Sequence, residues 1–303
     1  MTRLDDRTPN QLMLTDAGLE TVLVFHDGID LPAFAAFPLL DSADGRAALS
    51  RYVQPFVQLA GSRDLGLILE TPTWRANRDW GRTLGYSDED LRRVQHDAVA
   101  FVRDAADGSE VMVSGCIGPR GDGYVPGSMM TADAAAEYHH AQVRDLAEAG
   151  ATLVTSFTLS YADEGVGFAA AASDLGIPAV VGFTVEQDGR LASGETLAEA
   201  VERVDDATDR YPSWFMVNCA HPDHIAPGLG DGPWRERVGA VRANASRLSH
   251  AELDEATELD PGDPAELAAG YATLRGSLPG LRVVGGCCGT DIRHVAAMAD
   301  ALG

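Results

Sequence analysis

Short β-prone runs alternate with amphipathic stretches from one end of this chain to the other, and that alternation narrows the possible folds more than any other feature. The strand candidates are Gln11–Leu14, Gly66–Leu69, Glu110–Ser114, Thr152–Ser156, Ala179–Thr184, Trp214–Val217, Ala240–Asn244 and Arg282–Val284. Helical patterns follow nearly every one, at Asp41–Ala60, Ser87–Ala106, Thr131–Ala149, Glu164–Leu175, Thr196–Asp209, Pro264–Leu278 and Asp291–Leu302. Ser87 and Thr131 are natural helix openers, and Gly150, Gly176 and Gly280 are placed to close helices. Eight strands joined by crossover helices predict an α/β protein built as a single (β/α)8 TIM barrel. No linker or low-complexity tract divides residues 1–303, so one barrel domain is expected over the whole length.

In such a barrel the active site lies at the C-terminal ends of the strands. The long irregular stretches His26–Pro38 and Ile117–Met130, after the first and third strands, are therefore candidate substrate loops. Composition removes several functions. A formal charge of −23 gives no positive footprint for nucleic acid. All 23 basic residues are arginine, which excludes a Schiff-base lysine, a lysine base and the phosphate-loop lysine together. Met1–Asp6 is polar, and no apolar stretch is long enough to span a bilayer, so a cytoplasmic protein without membrane partners is expected. Four cysteines in so long a chain do not make a disulfide framework and read as reduced thiols.

Three of those cysteines end two strands. Cys287 and Cys288 follow Val283-Val284-Gly285-Gly286, and Cys219 follows Trp214-Phe215-Met216-Val217-Asn218. Thiolates converging from strand ends form a soft site suited to zinc, with a fourth position left for substrate or water. The competing reading is plain packing, because free cysteine is among the most buried residue types. Adjacent side chains on a regular strand point to opposite faces, so both cysteines can serve one ion only if the backbone turns there. Gly285, Gly286 and Gly289 can supply that turn. Cys116 reads as a packed thiol.

The other strand-end residues include Asp16, which precedes the flexible turn at Gly18, then Glu70, Phe157, Thr158 and Asn218. Each has an ordinary structural role open to it: a turn cap for Asp16, a satisfied strand-end carboxylate for Glu70, and a turn closure or a hold on the neighbouring cysteine for Asn218. Asp16, Gly18, Glu70, Phe157, Thr158 and Asn218 are the substrate-binding candidates.

From about Leu14 to the C-terminus the chain resembles the homocysteine S-methyltransferase family. The motifs that carry the resemblance are Val217-Asn218-Cys219 and Gly285-Gly286-Cys287-Cys288-Gly289-Thr290, in the family's order. Weaker ones are the Asp16 turn, Leu69-Glu70-Thr71 with Arg75-Ala76-Asn77, and Gly115-Cys116-Ile117-Gly118-Pro119. These zinc-dependent barrels include betaine- and S-methylmethionine-using enzymes and the homocysteine module of cobalamin-dependent methionine synthase. The resemblance implies that Cys219, Cys287 and Cys288 bind Zn2+ and that Asp16 helps position an amino-acid substrate. One segment departs from it. Where such enzymes usually carry Glu-Thr-Ile-Pro after the fourth strand, this chain reads Phe157-Thr158-Leu159-Ser160. An aromatic stands where a carboxylate for the substrate's amino group is expected.

Zinc coordination would deprotonate a thiol whose free pKa is about 8.5, and the bound thiolate is the expected nucleophile, with no protein side chain as catalyst. The expected reaction moves an activated methyl group from a small-molecule donor to homocysteine or a related thiol, giving methionine in the first case. Phe25, Phe34, Phe37, Trp74, Trp80, Phe157 and Tyr161 are candidates to cage a cationic donor. Three alternatives remain at this level: a zinc hydrolase using bound water, a methyl-acceptor module that needs a cobalamin-protein partner, and a metal-binding protein without turnover.

Overall fold

The computed structural model describes residues 11–303; the polar stretch Met1–Asp6 lies outside them. Eight parallel strands close into one barrel in chain order: β1 (Met13–Thr15), β2 (Gly66–Glu70), β3 (Met112–Ile117), β4 (Leu153–Ser156), β5 (Ala179–Phe183), β6 (Trp214–Asn218), β7 (Val238–Ala243) and β8 (Val283–Gly286). β1 pairs with β8 through Met13↔Val283 and Leu14↔Val284, which seals the barrel.

Strand parity sorts the side chains into two shells. Met13, Ile68, Leu153, Val180, Trp214, Ala240 and Val283 form an interior apolar cluster, topped by Cys116, Phe157 and Met216. The alternate residues, among them Leu14, Leu67, Val113, Val154, Val181, Phe215, Val241 and Val284, face the surrounding helices in the larger core. The same parity carries Glu70 on β2, Asn218 on β6 and Arg242 on β7 inward at the C-terminal end of the barrel. Their register fixes this, with Asn218 opposite Arg242 and Arg242 opposite Gly285.

The helices form where their caps lie. Ser87 closes a capping box with Asp90 at the head of Asp88–Ala105, Thr131 accepts from the Ala134 N–H ahead of Ala132–Glu148, and Gly176 ends Ala162–Leu175 in the left-handed region. One expectation changes. Gly280 does not close a helix, because Pro264–Ser277 stops at Leu278. A Cβ at position 280 would collide with the Glu236 carbonyl, so this glycine serves a close chain crossing. After β6, where the sequence shows no helical pattern, the crossover has only the short helix Pro222–Ile225 and two 3-10 segments, Ala226–Gly228 and Pro233–Arg237. Among the described residues no helix is long and apolar enough to cross a membrane.

Candidate metal and substrate site

A cavity of about 360 Å3 opens at the C-terminal ends of the strands. All three strand-end cysteines line it. The sulfur atoms of Cys219, Cys287 and Cys288 lie within 4.8 Å of one another, and the Cys219 and Cys288 sulfurs are 3.5 Å apart. Sulfurs around one tetrahedral zinc at roughly 2.3 Å stand about 3.8 Å apart, so the triad fits a single ion with little adjustment. Cys116 lines the cavity but is outside the triad.

The backbone explains how adjacent cysteines come to share one site. β8 ends at Gly286, and the chain then turns, with the Thr290 N–H donating to the Cys287 carbonyl and Gly289 at φ +80°. Gly18 belongs to this construction. A Cβ there would lie 2.5 Å from the Cys287 carbonyl oxygen, so only glycine lets the turn after β1 pack on the cysteine loop. Cys219 itself adopts φ +58°, a strained conformation for a residue with a side chain, and its carbonyl is held from outside. His250 Nε2 donates to it at 2.7 Å and Asn244 Nδ2 at 2.9 Å.

Electrostatics at the triad favour a cation. Hydrogen bonds from Cys219 and Cys288 pull the Cys287 thiol well down, while the hydrogen bond to Cys287 pushes Cys219 up and those to Cys219 and Cys287 push Cys288 up. The three thiols thus compete for ionisation, and a bound dication is what would let all three ionise. The Tyr124 hydroxyl, 3.0 Å from the Cys219 sulfur, stacks its ring on His250 at 4.2 Å.

Beside the sulfurs lies a second group of charges. Arg242 reaches across the barrel mouth. Its Nε donates to the Gly286 carbonyl at 2.9 Å and its Nη2 to the Ala17 carbonyl at 3.0 Å, and Nη2 sits 2.7 Å from Asp16 Oδ1. Nη1 is 3.6 Å from Glu70 Oε1, and the guanidinium carbon lies 5.1 Å from the Phe157 ring centroid. All four side chains are buried or nearly so. Burial pushes the Asp16 carboxyl up while Arg242 pulls it back, and burial lifts Glu70 to about 8 against the same guanidinium. Arg242 is pushed down by burial but pulled further up by Asp16 and Glu70, so it stays charged.

All six substrate-binding candidates other than the cysteines line the cavity. Asn218 does not hold Cys219; its side-chain oxygen accepts from the Thr158 N–H at 3.0 Å and pins the backbone after β4. Of the candidate cage aromatics, Phe25, Phe34, Trp74 and Phe157 face the cavity. Phe37 is core, Trp80 stacks on Arg75, and the Tyr161 hydroxyl accepts from the Met130 N–H. Sequence reasoning passed over Arg242, His250 and the cavity wall from Leu253 to Asp260, and reached Tyr124 only as part of the candidate loop Ile117–Met130. Arg242 had a signal: an arginine inside the otherwise apolar strand Val238–Ala243.

The comparisons with known proteins agree with this geometry. The family model for homocysteine S-methyltransferase matches residues 13–302. The fold is similar to that of the homocysteine methyltransferase MmuM from Escherichia coli in its oxidized form, with a TM-score of 0.77 and 19% identity over 98% of both chains. The metallated form of that enzyme is similar at a TM-score of 0.74 and 18% identity over 96% of both chains. No curated protein matches the chain by sequence. With its closed eight-stranded barrel, its three converging thiols and a family match over nearly its whole length, this chain belongs to the homocysteine S-methyltransferase family of enzymes.

Proposed function

We propose that this enzyme transfers a methyl group from a small cationic donor to the thiol of homocysteine or a related compound, with zinc held by Cys219, Cys287 and Cys288. The observation that carries this reading is the convergence of the three sulfurs on the wall of one cavity. Bound there, zinc would supply the acidity that turns an acceptor thiol into a thiolate near neutral pH.

The remaining work falls to the chain. His250 and Asn244 hold Cys219 in its left-handed conformation, so the sulfur stays aimed at the other two. Phe25, Phe34, Trp74 and Tyr124 give the cavity apolar and aromatic walls that exclude water and suit a sulfonium or quaternary ammonium. Asp122, Asp254, Glu258 and Asp260 on the same wall add a negative field that favours a cationic donor over an anionic one such as a methyl-folate. With homocysteine the product is methionine. Reduced thiols and thiol substrates fit a cytoplasmic setting.

A donor panel tests the proposal. S-methylmethionine, S-adenosylmethionine, betaine and methyl-folate, each with a 13C-labelled methyl, are offered to the zinc-loaded enzyme with a thiol acceptor. The expected result is label in a thioether, from a sulfonium or quaternary ammonium donor. Consumption of donor with the label appearing only in methanol would favour hydrolysis instead.

A further inference from the structure

The floor of the cavity has unmet polar groups of both kinds but little net charge. Asp16 is ion-paired with Arg242 at 2.7 Å, and Glu70, lifted by burial to about 8, keeps its proton at neutral pH. These three side chains are together close to neutral. On the acidic side Asp16 Oδ1 and Glu70 Oε2 have no hydrogen-bond partner, and on the donor side neither have Arg242 Nη1 and Asn218 Nδ2, all four buried. A ligand end that carries both an ammonium and a carboxylate answers both needs. Its ammonium, set down beside a fixed guanidinium, also requires a negative charge beyond the floor's own. After β4, where the family's carboxylate is expected, Phe157 offers only a ring, 5.1 Å from the guanidinium carbon.

Glu20 is placed to supply that charge. It lies on the turn after β1, in the short helix Leu19–Thr21, between two residues that touch the cysteine loop. Gly18 packs against the Cys287 carbonyl, and Thr21 Oγ1 accepts from the Gly289 N–H at 3.1 Å. The half-buried Glu20 side chain lines the cavity. Burial pushes its carboxyl up to about 7 against a hydrogen bond from its own backbone, and the charges of Cys287 and Asp16 push the same way. Among the described residues no arginine or histidine forms an ion pair with it. Of the other acidic residues on the wall, Asp122 and Asp260 hold turns of their own loops, and Asp254 and Glu258 are exposed. A cation held between Glu20 and Asp16 replaces a repulsion by two attractions.

We propose that Glu20 pairs with the ammonium of an amino-acid thiol such as homocysteine, and so performs from the turn after β1 the work of the carboxylate absent at Phe157. This deepens the methyltransferase reading above and rests on it. Arg242 Nη1 and Asn218 Nδ2 are then left for the acceptor's own carboxylate. The rival arrangement gives the ammonium to Asp16 alone.

The test compares homocysteine with 4-mercaptobutyrate, which differs from it only by the amino group. Cobalt replaces zinc, and the sulfur-to-cobalt absorption reports thiol binding without any turnover. The readout is the ratio of the two affinities. The wild type is expected to prefer homocysteine by about ten- to a hundredfold, the worth of one charge-assisted contact. In Glu20→Gln, which keeps the shape and removes the charge, that ratio falls by at least about tenfold, and Glu20→Ala gives the same loss. A ratio unchanged in both variants overturns the inference and leaves the ammonium to Asp16, whatever happens to either affinity alone. A wild type without preference also overturns it, while leaving thiol methylation intact. Failure of both thiols to alter the wild-type spectrum overturns the inference and the metal-held thiol together.

Discussion

The two charged regions at the mouth of this barrel settle their charge in opposite ways. The sulfur region, from β6 and β8, gathers three thiols, one pulled down and two pushed up by their neighbours, in a group that could hold a metal ion. The floor, from β1, β2 and β7, gathers two carboxylates and supplies its own cation in Arg242. The second region supplies its own cation, although Asp16 Oδ1, Glu70 Oε2 and Arg242 Nη1 keep no hydrogen-bond partner there. A metal site must leave some charge unmet until its ion arrives, whereas a buried ion pair made from the chain's own residues shapes the cavity and limits what may enter it.

If that contrast is right, the largest effects belong to the cysteines. Cys219→Ser, Cys287→Ser and Cys288→Ser should each reduce bound zinc from about one ion per chain to near zero and abolish methyl transfer, while Cys116→Ser keeps both. Elemental analysis of the purified variants checks this, and zinc lost from Cys116→Ser alone would move the site elsewhere. On the floor, Arg242→Leu leaves Asp16 buried without its partner and should cost about 3–5 kcal/mol of folding stability in urea unfolding. Adding Asp16→Asn to it should recover a large part. A cost below about 1 kcal/mol would mean that the floor is wetter than the buried pair implies.

A smaller effect depends on pH. The Glu70 carboxyl is raised from an ordinary 4.5 to about 8, first by burial, so the folded protein keeps a proton that the unfolded chain gives up between those values. Stability is then greatest at the acid end of this window, falls as pH rises through it and levels off above about 8. Glu70→Gln should match the wild type near pH 5 and exceed it by roughly 4 kcal/mol at pH 8.5. A difference that does not vary with pH would mean that Glu70 titrates in the folded protein as it does in the unfolded chain and is ionised through this window. The smallest change is expected at His250→Ala. Loss of the donor to the Cys219 carbonyl should weaken zinc affinity by roughly tenfold, about 1.4 kcal/mol, in competition with a chelator.

The sulfur region was readable in the sequence because its signal is local. Cys219, Cys287 and Cys288 stand directly after apolar runs, with glycines that allow the backbone to turn, and eight such runs already implied the barrel. The floor was not, since its signal is one of register. Arg242 lies in a run read as a strand, yet an arginine there is as compatible with a solvent-facing end. Only the pairing of β7 with β6 and β8 shows that it points inward between the strands that carry the cysteines. Tyr124 comes from the irregular stretch after β3 and His250 from the head of the short helix His250–Asp254, and they meet only because the barrel closes. Gly280 was read as a helix stop from its type alone, whereas its place is fixed by a crossing chain near Glu236.

Zinc K-edge absorption of the loaded enzyme, with and without homocysteine or a related thiol, tests the central claim most directly. Three protein sulfurs at roughly 2.3 Å should be counted in the resting enzyme and a fourth after thiol is added. A sulfur shell that stays unchanged when thiol is added would contradict the claim that this triad presents the acceptor for methylation.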